Sequence, residues 1–285
     1  RYLVMRHGQS EANMLGIIIS SLNTHHLTDK GRKEVLEAVK KLKKEKIDFI
    51  ISSDVKRTKE TAEMVAHELK IKHLIFDARL REIQLGILDG KPSYRYHELF
   101  PTYEEKFMKR PEGKGESLSD LRARMIGFMK DIDEKYSNKN ILLVSHEYPI
   151  WILWSAGQGM AQEEIIEIKK KIKGKDFIKT AGIISFPFIK LPYAHSGEVD
   201  LHRPYIDEME TVCRACGGVM KRVSEVCDVW FDSGAMPFAQ NHWLGNEKPK
   251  VFPADFISEG VAQTRGWFYT LLTVSTLLGF RAPYK

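Results

Sequence analysis

Three short apolar runs stop abruptly at polar side chains, and this pattern constrains the fold more than any other feature of the chain. Arg1-Tyr2-Leu3-Val4-Met5 runs into Arg6-His7-Gly8, Ile47-Asp48-Phe49-Ile50-Ile51 into Ser52-Ser53-Asp54, and Ile141-Leu142-Leu143-Val144 into Ser145-His146. Runs of this length and character read as strands. Between the first two, Thr28-Asp29-Lys30-Gly31 leads into Val35, Leu36, Val39 and Leu42 at helical spacing, and the stretches 54–69 and 117–136 read as further helices. Strands alternating with helices predict an α/β fold, a parallel sheet covered on both faces. Such sheets bind ligands beyond the carboxyl ends of their strands, which is where Arg6, His7, the Arg57 segment and His146 fall.

The chain has 285 residues, 43% hydrophobic and 29% charged, with only 20 Gly and 11 Pro. That composition excludes a disordered or collagen-like chain. No apolar run reaches the roughly 18 residues of a membrane span, because the best candidate, near Trp267 to Phe280, is interrupted by Thr, Ser and Gly. The net charge of +6 comes from the first part, since acidic residues outnumber basic ones after Lys190. All three cysteines, Cys213, Cys216 and Cys227, lie in the second part. An odd count without a signal-peptide pattern argues against a disulfide framework and for a reducing cytoplasm. The chain opens at Arg1 inside an expected strand and stops at Lys285 without a tail, so it reads as a piece of something longer.

The polar residues at the strand ends suit phosphoryl chemistry. A neutral imidazole is a competent nucleophile, and flanking arginines bind phosphate oxygens bidentately and stabilise their charge in the transition state. His7 has Arg6 beside it, with Arg57, Asn13 and His146 as further donors. The leaving oxygen needs a proton, and Glu82, in Arg81-Glu82-Ile83, is the candidate acid, its pKa raised by its surroundings. The scheme requires no metal or cofactor. Together with Leu27-Thr28-Asp29-Lys30-Gly31, the stretch from Ser52 through Arg57 to Ala62, Leu80-Arg81-Glu82, Gly115-Glu116-Ser117 and Val144-Ser145-His146, these residues resemble the histidine phosphatase superfamily, the phosphoglycerate-mutase-like fold, in the family's order. The resemblance covers residues 1–188. It implies a three-layer sandwich with a mostly parallel sheet, a phosphohistidine on His7, a phosphate pocket of Arg6, Arg57 and His146 with Asn13 beside it, Glu82 as general acid and base, and a phosphorylated small molecule as substrate. Many relatives have Gly-Gly where this chain has Glu147-Tyr148, and the extra carboxylate predicts repulsion of some anionic substrates.

The character changes at Lys190. Residues 189–197 read as a linker, and from residue 198 the chain carries Asp200-Leu201-His202-Arg203-Pro204, Cys213-Arg214-Ala215-Cys216, Asp228-Val229-Trp230-Phe231-Asp232-Ser233-Gly234, Phe252-Pro253-Ala254-Asp255-Phe256 and Gln263-Thr264-Arg265-Gly266-Trp267. Val251 to Ile257 is expected as a buried strand and Thr264 to Leu278 as an apolar helix. Glu259 and Gln263 lie at their crossing, where a small ligand binds. These strings resemble isoleucyl-tRNA synthetases over residues 198–285, as an incomplete Rossmann-type class I catalytic segment. The resemblance implies adenylate binding by Glu259, Gly260 and Gln263, with isoleucine, ATP and tRNA as substrates of a complete enzyme. Relatives carry Asp where this chain has Ala262, which removes a carboxylate from ammonium recognition. Cys213 and Cys216 have the spacing of half a zinc site, and Cys227 reads as core. The run Lys169-Lys170-Lys171-Ile172-Lys173-Gly174-Lys175 is expected as a solvated helix end.

The ATP motifs His-Ile-Gly-His and Lys-Met-Ser-Lys-Ser are absent from these residues. The expectation is therefore a segment of an isoleucyl-tRNA synthetase carrying a histidine phosphatase domain. The alternative is a stand-alone phosphatase with a vestigial synthetase-derived binding module.

Overall fold

The computed structural model describes every residue except 21–23, 173–175, 214, 225–227, 241–242, 244–248 and 250–251. Cys227, Val251 and Lys173 to Lys175 thus lie outside the described residues. The chain divides into two compact units, Arg1–Met209 and Glu210–Lys285.

In the first unit the elements run β1 (Tyr2–Arg6), α1 (Glu11–Leu15), α2 (Asp29–Leu42), β2 (Phe49–Ser52), α3 (Lys56–Leu69), β3 (Leu74–Phe76), α4 (Ser93–Leu99), α5 (Tyr103–Met108), α6 (Leu118–Lys135), β4 (Ile141–Ser145), α7 (Glu147–Ala156), α8 (Gln162–Lys171), β5 (Ile183–Phe186) and α9 (Tyr205–Glu208). The five strands form one sheet in the order β3-β2-β4-β1-β5. β1, β2, β3 and β4 are parallel, and β5 is an antiparallel edge beside β1.

Side-chain alternation divides the interior into two cores. Tyr2, Val4, Phe49, Ile51, Ile141 and Leu143 point to one face, against α6 and α7 residues such as Met125, Phe128 and Trp151. Leu3, Met5, Ile50, Leu142 and Val144 point to the other, against Val35, Ala38, Val39 and Leu42 of α2 and Ala62 and Val65 of α3. A strand whose two faces are both covered has no polar side to show, which is why these segments read as continuous apolar runs. One helical expectation is corrected: Leu36 is 42% exposed, and the buried stripe of α2 is completed by Ala38, whose small side chain carries little weight in an apolar pattern.

Local chemistry sets the helix starts. The Thr28 hydroxyl accepts from the Gly31 N–H at 3.0 Å, and the Ser117 hydroxyl accepts from the Asp120 N–H at 3.1 Å while the Asp120 carboxylate accepts from the Ser117 N–H at 2.9 Å. A Cβ on Gly31 would stand 2.0 Å from the carbonyl oxygen of Gln9, so only glycine lets α2 approach the loop that follows β1. Residues 189–197 pack on this unit: Tyr193 is buried in its first core, and the Ser196 carbonyl accepts from Nε of buried Arg122 at 3.1 Å.

The second unit has a two-stranded antiparallel ribbon, β6 (Glu210–Val212) with β7 (Val219–Lys221), and two packed apolar helices, α10 (Val229–Ala239) and α11 (Trp267–Leu277). A 3-10 turn over Val261–Arg265 precedes α11. The strand expected up to Ile257 does not form over the described residues 252–257. Only Ala254 makes a bridge, to Tyr284, and Phe256 is 80% exposed. A strand in the middle of a parallel sheet needs neighbours for its N–H and C=O groups, and the described residues of this unit supply that single bridge.

Candidate active site

Parallel pairing of β1 with β4 sets Arg6 opposite Ser145, so the residues that follow, His7 and His146, leave the sheet side by side. Their ring centroids are 5.2 Å apart. β2 pairs with the other edge of β4 and delivers α3, whose first turn carries Arg57. The sheet register therefore brings together three residues far apart in the chain.

His7 is 3% exposed. Its Nδ1 lies 2.7 Å from the Gly8 carbonyl oxygen, an acceptor, so Nδ1 carries the proton and Nε2 holds the lone pair. Nε of Arg57 donates to that Nε2 at 3.1 Å. Burial, and then the charges of Arg57 and Arg6, hold the His7 pKa well below the ordinary histidine value. The ring is thus a neutral imidazole with its nucleophilic nitrogen oriented by a guanidinium.

The two arginines are anchored and also incompletely satisfied. Arg6 donates through Nη1 to Asp176 at 2.5 Å and to the Ile178 carbonyl at 2.7 Å, and its buried Nε has no partner among the described residues. Arg57 donates through Nη2 to the Ile19 carbonyl at 2.9 Å, and its buried Nη1 is likewise unpartnered. Burial lowers the Arg57 pKa to about 10, which leaves it charged at neutral pH. Buried donors without acceptors are costly, and a phosphate's oxygens would satisfy them.

Glu82 is 6% exposed, and burial pushes its pKa up to about 7, against the opposing pull of the Ile83 N–H and of Arg57. Its Oε1 accepts from the Ile83 N–H at 2.9 Å. Asn13 accepts through Oδ1 from the N–H and hydroxyl of Ser10, both at 3.0 Å, which directs its amide NH2 away from them. Arg6, His7, Asn13, Arg57 and Glu82 all line one cavity of about 470 Å³. His146 stands behind it, fully buried: Nδ1 accepts from Arg57 Nη2 at 3.0 Å, and Nε2 lies 3.0 Å from the Ser53 hydroxyl. Burial and the Arg57 charge also keep its pKa well below the ordinary value.

Glu147 does not act as the isolated carboxylate that its sequence position implied. It binds Lys169 Nζ at 2.5 Å, accepts from the Phe177 and Ile178 N–H groups at 2.6 and 3.3 Å, and lies 3.6 Å from Arg6 Nη1. Its charge is therefore compensated on three sides. Lys169, expected on a solvated helix end, is buried on the α8 face that also carries Ile165 and Ile166. Asp176, His97 and the buried Lys106 are among the cavity-wall residues that no sequence motif singles out. The signal for Lys106 was its place one residue before Phe107 and three after Tyr103 on the apolar face of α5.

In the second unit, Glu259 and Gly260 are exposed on the approach to the 3-10 turn. Gln263 accepts through Oε1 from the Trp267 N–H at 2.9 Å, capping α11. Cys213 is half-buried and Cys216 exposed. Backbone N–H groups of Cys216 and Ala215 bring the Cys213 pKa below the usual thiol value. Two thiols make half of a tetrahedral zinc set, and among the described residues no cluster of three or more His, Cys, Asp or Glu completes it. No helix among the described residues is long and apolar enough to cross a membrane.

Comparison with known proteins also finds two parts, with the second beginning inside the first compact unit. Residues 2–171 match the histidine phosphatase superfamily (branch 1), and the chain belongs to that family. Residues 190–285 match the class I tRNA synthetases (I, L, M and V), so a histidine phosphatase domain is followed by a class I synthetase segment. An isoleucine–tRNA ligase of Bacillus thuringiensis (strain Al Hakam) is 56% identical over 91 residues, 31% of this chain and 9% of that protein. One from Clostridium acetobutylicum is 58% identical over 90 residues, 30% of this chain and 9% of its own. The chain thus spans about 9% of the length of the curated relatives it matches. Among solved structures, a mycobacterial glucosyl-3-phosphoglycerate phosphatase superposes with a TM-score of 0.55 at 23% identity, over 64% of this chain and 88% of its own. YhfR of Bacillus stearothermophilus gives 0.54 at 23%, with the same coverage. At that identity the likeness is one of fold.

Proposed function

We propose that the first unit hydrolyses phosphomonoesters through a phosphohistidine. The observation that carries this reading is the locked tautomer of His7: Nδ1–H faces the Gly8 carbonyl, and Nε2 opens toward a cavity lined by two buried guanidinium groups. Nε2 attacks phosphorus while Arg6 and Arg57 bind the equatorial oxygens and Asn13 adds an amide donor. Protonated Glu82 gives its proton to the leaving ester oxygen as the P–O bond breaks. Glu82, now a carboxylate, then takes a proton from water, whose oxygen attacks the phosphohistidine to release inorganic phosphate. His146 enters this scheme through Arg57, whose Nη2 it holds. The test is a rapid quench of the full chain with a labelled aryl phosphate in the presence of a chelator. Acid-labile label on His7, absent from His7→Ala, is expected. Turnover that persists in His7→Ala under chelation would sink the mechanism.

We further infer that residues 198–285 form one side of an aminoacyl-adenylate crevice within a longer isoleucine–tRNA ligase, with Glu259, Gly260 and Gln263 as adenylate contacts and isoleucine, ATP and tRNA as substrates. The sequence identity to isoleucine–tRNA ligases favours this reading, as does an apolar surface, including Phe256 and Tyr269, suited to burial against further protein. A reducing cytoplasm suits its free thiols.

A further inference from the structure

The cavity that holds His7 also holds a cation for which phosphoryl transfer has no use. Lys106 of α5 lines it and is 2% exposed, so its ammonium is out of bulk water. Among the described residues no carboxylate lies within ion-pairing distance of it. One of its three donors goes to Nδ1 of His97 at 2.8 Å, and the faces of Tyr103 and Tyr96 stand 4.7 and 5.3 Å away. Burial and the charges of Lys106 and Lys169 keep His97 below its ordinary pKa, so it accepts from Lys106 as a neutral ring with its own proton on Nε2. Aromatic faces offset only part of the cost of a desolvated ammonium. Burial and the neighbouring Lys169 charge lower the Lys106 pKa to about 8.

Among the described residues three acids share this cavity and none of them ion-pairs with Lys106: Glu82, its pKa pushed up to about 7 by burial, accepts from the Ile83 N–H. Glu147 is taken by Lys169 and two backbone N–H groups, and Asp176 by Arg6 at 2.5 Å. A ligand whose only charge sat on the phosphate at His7 would leave the Lys106 ammonium buried and uncompensated. A ligand with a second negative group would supply the missing counterion and accept the remaining donors.

We propose that the substrate of this site is a phosphomonoester bearing a second anionic group, a carboxylate or a further phosphate, bound by Lys106 Nζ with His97 beside it. The proposal deepens the phosphatase reading and rests on it for the placement of the first phosphate. Lys106 is then a specificity determinant, acting on which ester is held rather than on the bond that breaks.

The test compares ω-carboxybutyl phosphonate with pentyl phosphonate, non-hydrolysable ligands of similar length that differ in the second charge, by titration calorimetry on the full chain. A bisphosphonate of the same length separates carboxylate from phosphate preference. The expected result is a Kd at least ten-fold lower for the doubly charged ligands, with most of that ratio lost in Lys106→Met and kept in Lys106→Arg. Equal affinities in the parent protein, or no binding of any of the three, overturn the proposal without recourse to a variant, and so does a ratio that survives in a folded Lys106→Met. Hydrolysis of para-nitrophenyl phosphate is followed in parallel. Turnover with equal phosphonate affinities sinks the second anion site alone, whereas a charge preference without turnover sinks the phosphatase reading and leaves the anion site standing.

Discussion

Arg57 donates through Nε to the Nε2 of His7 over 3.1 Å, onto the lone pair that attacks phosphorus in the proposed mechanism. The guanidinium therefore both orients the nucleophile and occupies it until a phosphate oxygen draws the donor away. Arg57→Ala is expected to lower kcat/KM by roughly 10²–10³-fold, the range for loss of one charge-stabilising donor group. The same change should raise the His7 pKa, because the Arg57 charge is the second largest cause, after burial, of its depression. Histidine chemical shifts followed against pH would read this directly, and an unmoved His7 titration would refute the coupling.

Glu82→Gln is expected to slow phosphorylation of His7 most for alkyl phosphates and least for aryl phosphates with acidic phenols, because a poor leaving group needs the proton. With an acid of pKa about 7, the alkyl-phosphate rate of the parent should fall as pH rises through that value. His7 titrates well below its usual range, so the acidic limb should lie well below pH 6.5. Single-turnover rates on both ester classes decide this, and equal losses would remove Glu82 from the acid role.

The same carboxyl makes a stability prediction. Its folded-state pKa of about 7 lies above the ordinary value of 4.5, so the folded protein holds a proton that the unfolded chain releases. Its contribution is fully present below 4.5, is lost as pH rises to 7, and stays lost above. That difference is worth roughly 3 kcal/mol. Relative to the parent, Glu82→Gln should gain about that much between pH 4 and pH 8 in urea unfolding, whereas a constant difference across the range would contradict the buried proton.

Gly31→Ala places a methyl group 2.0 Å from the Gln9 carbonyl oxygen. The backbone on one side must move, at roughly 1–3 kcal/mol, and the side most free to move is the loop that follows His7. Both the unfolding midpoint and the phosphatase kcat should drop. A full-strength enzyme with a lowered midpoint would locate the shift in α2 instead.

In a complete ligase containing residues 198–285, Glu259→Ala should impair isoleucine-dependent pyrophosphate exchange by at least about ten-fold while phosphatase turnover at His7 stays near the parent value. Loss of both together would mean that the two units do not work independently.

What could be read from the sequence follows from how far each signal reaches along the chain. The strand ends and the starts of α2 and α6 are local, set by apolar runs and by the Thr28 and Ser117 caps, and they stand within two residues of where the sequence put them. The grouping of Arg6, His7, Arg57 and Glu82 was legible because each belongs to a motif that sits at a strand end or a fixed turn. Lys106 and Lys169 were not, since a lysine's burial depends on what another element places over it. For Lys169 that is the Glu147 carboxylate, 22 positions away. The segment 252–257 shows the reverse failure. Its apolar pattern is that of a strand, but a strand is a property of its neighbours as much as of its own residues.

Arg6 stands on Asp176 and Ile178, and Glu147 on the N–H groups of Phe177 and Ile178, all beyond the last residue that the phosphatase family match reaches. The edge strand β5 and the buried Tyr193 lie further along still. A surgeon cutting at residue 171 would keep every chemically active side chain and remove the footing of one of its two phosphate-facing guanidinium groups. The transplantable module is the longer piece, and the stretch from Asp176 to Tyr193 is scaffolding that the reacting groups borrow rather than a tether between two trades.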